Sequence, residues 1–235
     1  MRLDKFLSDM TGEGRSQIKN MIKKGLARVN DTVCKDPGTK TDPDKDLITL
    51  EGRVITYRKY SYFMLNKPAG LLSATQDTSQ QTVLDLFPPK LRKGLFPVGR
   101  LDKDTVGLLL ITDDGQLAHH LTSPRHHVEK TYLLSAAAPL TAEDATAFKN
   151  GIELKDGTLL KDALLVIDEK DPCRALITIK EGKYHQIKRM IASRSNKVTY
   201  LKRISMGPLT LDESLKEGEY RALTPAEITS LLYKP

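Results

Sequence analysis

The sequence is poor in cysteine and has no long apolar run. Cys34 and Cys173 are the two cysteines among 235 residues, and they lie far apart in the chain. A disulfide framework is therefore not expected, and a reducing compartment is predicted. No apolar stretch approaches the length of a membrane span, and the N-terminus lacks the apolar stretch of a signal peptide. We expect a cytoplasmic, soluble protein that does not insert into a membrane.

Acidic residues are scarce in one region of this otherwise well-mixed sequence. The chain is 39% hydrophobic and 29% charged, which is typical of a globular protein with a core. Its formal net charge is +7, and residues 180–203 contain eight lysines or arginines but one acidic residue, Glu181. A second basic cluster lies near the N-terminus and comprises Arg2, Lys5, Arg15, Lys19, Lys23, Lys24, Arg28 and Lys35. Two separate basic regions favour an extended polyanion such as nucleic acid as the partner.

The first fifty residues predict a small unit of two helices and a few short strands. Apolar residues recur at helical spacing from Leu3 to Met10, and Ser16 is predicted to cap a second helix that ends at Gly25. Extended segments are predicted at 26–29 and 47–50, and a linker at 52–60. We therefore predict a first domain over residues 1–58 and a second over residues 59–235.

The stretch FPVGRLDKDTVGLLLITDDG, residues 96–115, is the most informative part of the second domain. The apolar run 108–112, bounded by glycine and aspartate, predicts a buried strand. Asp102 is then predicted to lie in a tight loop leading into that strand, where a carboxylate is held rigidly yet remains accessible. The alternative interpretation is that Asp102 only binds backbone amides of the turn.

Residues 181–191 predict a helix with an unusually cationic first turn. The first turn or so carries four basic side chains: Lys183, His185, Lys188 and Arg189. Cations at this end oppose the helix dipole by about 0.3–1 kcal/mol each. An internal carboxylate or a bound phosphate is therefore expected to offset them, whereas the alternative interpretation is a solvated basic face.

The histidine pairs at 119–120 and 126–127 do not predict a metal site. Neighbours in sequence do not converge on one ion, and no cysteine or carboxylate stands at ligand spacing. We therefore expect no metal.

Residues 1–52 resemble the S4 RNA-binding domain. The resemblance rests on RLDKFLSD, GRSQIKNMIKKGLARVN and the closing DLITLEG, in that order. It implies that the helix pair and the following turn hold structured RNA. The residues expected to contact RNA are Arg2, Arg15, Ser16, Lys19 and Lys23.

Four further stretches resemble the pseudouridine synthases, specifically their ribosomal small-subunit (RsuA-type) branch. They are NKPAG at 66–70, GRLDKDTVGLLLITDDG at 99–115, EKTY at 129–132 and EGKYHQIKRM at 181–190. The resemblance implies an α+β fold: an N-terminal S4-like domain plus a catalytic domain with a long mixed, mostly antiparallel sheet flanked by helices. It also implies a cleft across the sheet face, and a mobile S4-like domain.

The same resemblance implies a role for each matched residue. Asp102 matches the catalytic aspartate, Tyr132 the tyrosine that lies against the target base, and Lys188 the cation that pairs with the carboxylate. Many relatives carry arginine at that last place, and lysine cannot offer the two-pronged guanidinium contact. The further expected positions are Arg100, Lys183 and Arg189 for RNA binding, and Ile187 and Met190 for the apolar wall of a uracil pocket.

The implied function is the isomerisation of one uridine in small-subunit (16S) ribosomal RNA, at position 516, without a cofactor or metal. The partner would be ribosomal RNA or a pre-ribosomal small-subunit particle, and the protein a monomer. A large-subunit (23S) target and a non-catalytic rRNA-binding assembly factor are the alternatives. A nucleoside glycosidase is a weaker one, since it would use paired carboxylates. Asp104 is near Asp102, but no motif around it supports that chemistry.

Overall fold

The computed structural model describes residues 1–154 and 156–232, and the chain divides into two compact units. The first unit comprises Met1–Tyr60 together with Pro88–Lys93, and the second comprises residues 61–87 and those from 94 onward. The short segment 88–93 thus packs with the first unit, although it lies within the predicted second domain. The boundary between 58 and 59 itself stays a prediction. None of the helices in the described residues is long and apolar enough to span a membrane.

The two predicted N-terminal helices are confirmed as α1 (Leu3–Thr11) and α2 (Arg15–Lys23). The prediction that Ser16 caps α2 is wrong, because the helix begins one residue earlier and Gly14 occupies the cap position in an extended conformation. Ser16 therefore lies inside the first turn, on the exposed surface. The inward-facing side chains of both helices form the core of the first unit: Leu3, Phe6, Leu7, Ile18 and Ile22.

A small antiparallel sheet completes the first unit. Its strands are β1 (Ala27–Val29), β2 (Thr32–Cys34), β3 (Ile48–Leu50) and β4 (Arg53–Val54), in the order β2-β1-β3-β4. Two-residue turns join β1 to β2 at Asn30-Asp31 and β3 to β4 at Glu51-Gly52, and all four turn residues have positive φ. This backbone twist suits tight hairpins. Part of the predicted linker 52–60 is therefore a strand.

The second unit is organised by one large sheet. Its strands are β5 (Tyr62–Lys67), β6 (Phe96–Pro97), β7 (Val106–Thr112), β8 (Lys130–Ala136), β11 (Ala163–Ile167), β12 (Arg174–Ile179), β13 (Val198–Met206), β14 (Leu209–Thr210) and β15 (Tyr220–Ala222). The main order is β11-β12-β8-β13-β7-β5-β15, while β14 pairs with β13 and β6 with β7. Among the described residues, β7–β13 is the parallel pair and the other pairs are antiparallel. The predicted mixed, mostly antiparallel sheet is confirmed.

A separate hairpin lies beside this sheet, formed by β9 (Ile152–Glu153) and β10 (Leu159–Leu160). The sequence pattern predicts one strand over 159–167, but β10 and β11 are distinct strands. β11 begins three residues after β10 ends, but β10 pairs with β9 whereas β11 pairs with β12. A continuous apolar pattern does not reveal this change of pairing strand.

The parallel pair β7–β13 depends on a glycine. Every residue of β7 is buried, as the apolar run predicts. Gly107 has a φ of +100°, and a Cβ built there would lie 2.3 Å from the Arg203 carbonyl oxygen. Only glycine permits this close backbone approach. β7, which directly follows the Asp102 loop, is thereby fixed at the centre of the sheet.

Four helices flank the sheet: α3 (Gly115–Thr122), α4 (Ala142–Lys149), α5 (Gln186–Ser193) and α6 (Pro225–Leu232), with a short 3₁₀ turn at Val83–Leu86. Asp114 caps α3 by accepting from two backbone amides, and a capping box of Thr141 and Asp144 starts α4. The predicted basic helix is confirmed as α5, but it begins at Gln186 rather than at 181, so Lys183 precedes it and His185 is its cap residue. Its apolar side chains Ile187, Met190 and Ile191 belong to the main core.

Candidate active site

Asp102 lies in the loop of residues 98–105, between β6 and β7. The Val98 amide donates to the Leu110 carbonyl at 2.8 Å, so the loop leaves directly from the sheet. Gly99 then adopts a left-handed conformation with a φ of +72°, which glycine takes without steric cost. The Thr105 amide donates to the Asp102 carbonyl at 3.1 Å and closes a turn just before β7. The carboxylate is thus carried by a short, hydrogen-bonded loop.

Lys67, the last residue of β5, holds this loop from inside the protein. Its side chain is fully buried. Its ammonium donates to the carbonyls of Lys103 at 3.2 Å and Thr105 at 3.0 Å, and to its neighbour Pro68 at 2.9 Å. The amide of Gly70 also donates to the Lys103 carbonyl, at 2.7 Å. The NKPAG segment therefore anchors the loop that carries Asp102.

The burial of Lys67 changes the pKa of its ammonium. Burial lowers the pKa of the Lys67 ammonium to about 8, against the opposing attraction of the Asp104 and Asp102 carboxylates. The ammonium is therefore electrostatically coupled to both carboxylates as well as bonded to their loop. No role is predicted for Lys67 from the sequence, although NKPAG is among the stretches that carry the family resemblance. A lysine at the end of an apolar strand was the available signal.

Lys188, in the first turn of α5, bridges two carboxylates. Its Nζ lies 2.9 Å from Oδ2 of Asp102 and 2.5 Å from Oδ1 of Asp104. His185 approaches the other oxygen of Asp102, with Nε2 3.7 Å from Oδ1. The Asp102 side chain is 27% exposed and that of Asp104 74%, so Asp102 is the inner carboxylate of the pair. Internal carboxylates therefore offset the cationic helix start.

The bridge stabilises the charged forms of Asp104 and Lys188. The hydrogen bond from Lys188 lowers the pKa of the Asp104 carboxyl. Burial alone would lower the pKa of Lys188, but the bonds to Asp104 and Asp102 outweigh it and raise the pKa above its usual value. Lys188 is thus a permanent cation beside Asp102 at neutral pH. From the sequence, Asp104 is considered only as a second carboxylate for a glycosidase, because its pairing depends on a helix more than eighty residues away.

An open cleft of about 420 Å³, a volume that includes space open to solvent, lies beside this bridge. Its apolar lining includes Leu101, Tyr132, Ile179, Ile187 and Leu201, and its charged or polar lining includes Arg100, Asp102, Lys183, His185 and Lys188. Tyr132 comes from β8 and is 7% exposed. An apolar pocket with convergent cations and one inner carboxylate suits a flat, uncharged ring joined to an anionic chain.

Two of the predicted positions on α5 do not line this cleft. Met190 is fully buried in the core and is not among the described residues that line the cleft. Its place in the wall of a uracil pocket stays a prediction. Arg189 instead pairs with Asp156, in the turn between β9 and β10.

The predicted RNA-contact residues of the first unit partly converge. Asp4, whose side chain is 1% exposed, pairs with Arg2 at 3.1 Å, Arg15 at 3.2 Å and Lys19 at 4.0 Å. The hydrogen bond from Arg2 lowers the pKa of Asp4 to about 2, although burial acts in the opposite direction. The three cations, each about half exposed, therefore form a fixed cluster around one carboxylate. We call Arg2, Arg15 and Lys19 the Asp4 cluster.

The other two predicted residues of the first unit are outside this cluster. Ser16 and Lys23 are both exposed, on the first and last turns of α2. Sequence reasoning did not single out Asp4. A carboxylate among cations on two facing helices was the available signal, but only the packing of α1 against α2 shows that one acid serves three partners.

Comparison with known proteins links both units to characterised families. The family model described as RNA pseudouridylate synthase matches residues 61–193, and the S4 domain model matches residues 1–47. A structure described as a crystal structure of pseudouridylate synthase is 42% identical, covers 98% of this chain and 99% of its own, and superposes with a TM-score of 0.70.

Curated relatives align over nearly the whole chain. The uncharacterized RNA pseudouridine synthase YtzG of Bacillus subtilis is 44% identical and covers 100% of this chain and 99% of its own. Ribosomal small subunit pseudouridine synthase A of Vibrio cholerae is 44% identical over 98% of this chain and 99% of its own, and that of Escherichia coli K12 is 40% identical over 99% and 100%. With a family match over more than half of its length, the chain belongs to the RNA pseudouridylate synthase family, in the RsuA-type branch with an N-terminal S4 domain.

Proposed function

We propose that this protein isomerises one uridine of small-subunit (16S) ribosomal RNA to pseudouridine, at position 516, with Asp102 as the catalytic carboxylate. The observation that carries the mechanism is the inner carboxylate of Asp102, held in the cleft wall by its loop and paired with Lys188 at 2.9 Å. The relatives named ribosomal small subunit pseudouridine synthase A support the choice of RNA.

The reaction requires one reactive group of the protein and a pocket that fits the target base. The bond between N1 of uracil and C1′ of ribose breaks, the base turns, and C5 bonds to C1′. C5 loses its proton to solvent and N1, which carries no proton in uridine, gains one, so atoms balance without a redox partner. Asp102 serves this sequence as a nucleophile on the sugar or the base, or as the base that removes a sugar proton. All three routes use a negatively charged carboxylate, and the Lys188 ammonium lies 2.9 Å from it.

The remaining cleft residues receive roles from their positions. The target base must leave its stack, which costs a few kcal/mol. Tyr132 and Ile187 offer an apolar and aromatic surface that offsets this cost. Arg100 and Lys183, both exposed at the cleft, are assigned to the phosphate backbone on either side of the extruded nucleotide.

The first unit is assigned to binding structured RNA. The Asp4 cluster presents three half-exposed cations in a fixed arrangement, which suits phosphate groups of a folded RNA. Ser16, Lys23 and, in the second unit, Arg189 complete the proposed RNA contacts. Ribosomal RNA, free or in a pre-ribosomal small-subunit particle, is the proposed partner.

Tritium release tests the proposal directly. 16S and 23S transcripts labelled with tritium at C5 of uracil are incubated with the protein, because isomerisation frees that tritium. We expect release from 16S RNA equal to one site per molecule, and none from a 16S transcript with cytidine at position 516. Release from 23S RNA alone would move the target. Binding of both RNAs without release would identify an assembly factor instead.

Replacing Lys67 with methionine is expected to lower kcat about 10- to 100-fold with a smaller effect on KM. The loss of its bonds to Lys103 and Thr105 loosens the Asp102 loop, and misplacement of a reacting group by about 1 Å costs rate on this scale. Single-turnover tritium release measures the effect. Lys130 is the matched control, since burial also lowers its pKa to about 8 but its ammonium bonds Val128 outside that loop. Equal losses in both variants would contradict a specific anchoring role for Lys67.

A further inference from the structure

The Tyr184 side chain is highly exposed, and the proposed reaction gives it no role. Its side chain is 75% exposed, the highest value among the large hydrophobic side chains exposed in the described part of the chain. It stands between Lys183 and His185, which both line the cleft. A large ring left in water beside a binding cleft points to a partner that covers it.

The ring of Tyr184 is held in place. It stacks on the ring of His185, with centroids 3.8 Å apart and planes 17° apart. His185 itself has a φ of +47°, a left-handed conformation that non-glycine residues adopt at an energetic cost. Such a conformation persists where the surroundings enforce it, and it marks many binding sites.

The surroundings that enforce this conformation are visible in the loop before α5. The Lys183 amide donates to Oε1 of Gln186 at 2.9 Å, and the side-chain amide of Gln186 donates to Glu181 at 2.9 Å. Gln186 and Glu181 are both buried. The loop that presents Tyr184 is thus fixed from below before any RNA binds.

The position of the Tyr184 ring and the charge around it indicate which kind of molecule covers it. His185 covers one face of the Tyr184 ring, and the high exposure leaves the opposite face open. The exposed cations of Arg100 and Lys183 line the same cleft, whereas Lys188 is offset by Asp102 and Asp104. A rigid exposed aromatic ring among cations is the chemistry with which proteins stack single-stranded bases. A protein partner would not require this concentration of cations.

We propose that Tyr184, backed by His185, is a stacking platform for an unpaired base next to the extruded uridine. The inference rests on the proposed function, since it places the target base beside Asp102. His185 joins the two sites, because its Nε2 lies 3.7 Å from the Asp102 carboxylate while its ring supports Tyr184. The platform holds the neighbouring nucleotide in the open, unstacked arrangement that extrusion creates.

The test compares Tyr184→Ala and Tyr184→Phe on a 16S fragment that the wild-type protein modifies. Base–aromatic stacking predicts that the alanine variant raises KM about 5- to 100-fold with kcat nearly unchanged, and that phenylalanine restores the wild-type KM. Leu164→Ala is the matched control: Leu164 is 60% exposed on β11 and does not line the cleft, so its KM is expected to stay at the wild-type value.

An abasic substrate identifies the stacked base. An abasic nucleotide on one side of the target is expected to raise the wild-type KM by the same factor, and Tyr184→Ala is then expected to add nothing. A penalty that persists when both neighbours are abasic, or a phenylalanine variant as weak as alanine, would overturn the platform. Unchanged kinetics of Tyr184→Ala would overturn it too. Failure of the proposed function is a separate result, namely no tritium release by the wild-type protein.

Discussion

Replacing Asp102 with asparagine is expected to reduce kcat at least about 1,000-fold, equivalent to about 4 kcal/mol of barrier, with little change in RNA affinity. Asparagine keeps the shape and the backbone turn but removes the ionised oxygen on which the proposed reaction depends. Single-turnover tritium release measures the loss, and filter binding of the same RNA measures affinity. Release above about a tenth of the wild-type rate would remove Asp102 from its proposed role.

The Asp102→Asn substitution leaves the rest of the charge bridge intact. Lys188 keeps a partner in it, because Asp104 lies 2.5 Å from the same ammonium. No uncompensated cation is created, so thermal stability should be nearly unchanged. The matched control is Asp104→Asn, which removes the outer carboxylate of the same bridge and is expected to cost less than about tenfold. A loss as large as that of Asp102→Asn would assign the reactive role to the bridge as a whole.

Much of the fold follows from local patterns, and the exceptions have a physical explanation. The apolar periodicities of α1 and α5 and the run of β7 predict these elements because each buries one continuous surface. The hairpin at Glu51-Gly52 escapes prediction, because a glutamate with a φ of +51° is not a usual turn residue. The packing of 88–93 with the first unit includes a pair of Lys90 and Glu13 at 2.7 Å, which no local pattern can reveal.

Local sequence patterns predict the candidate site less completely than they predict the fold. The family resemblance predicts Asp102, Lys188 and Tyr132, and the structure brings Asp102 and Lys188 into contact and lines one cleft with all three. Neither a role for Lys67 nor the pairing of Asp104 with Lys188 is predicted from the sequence, because both depend on partners elsewhere in the sequence rather than on their own neighbours.

Replacing Lys188 with methionine is expected to reduce kcat about 100-fold at neutral pH, equivalent to about 3 kcal/mol. The change leaves Asp102 and Asp104 side by side without the cation that bridges them, and Asp102 is largely shielded from water. The negative charge that the reaction needs on Asp102 then faces a second carboxylate without a neutralising partner between them. Lys67 attracts both carboxylates, but its ammonium is bonded to the carbonyls of Lys103 and Thr105, so it compensates only in part.

A charge-conserving variant distinguishes this electrostatic role from a structural one. Lys188→Arg keeps a cation beside Asp102 and Asp104, so it should restore the rate to within about tenfold. Single-turnover tritium release measures both variants under the same conditions. An arginine variant as slow as the methionine variant would show that Lys188 contributes packing rather than charge.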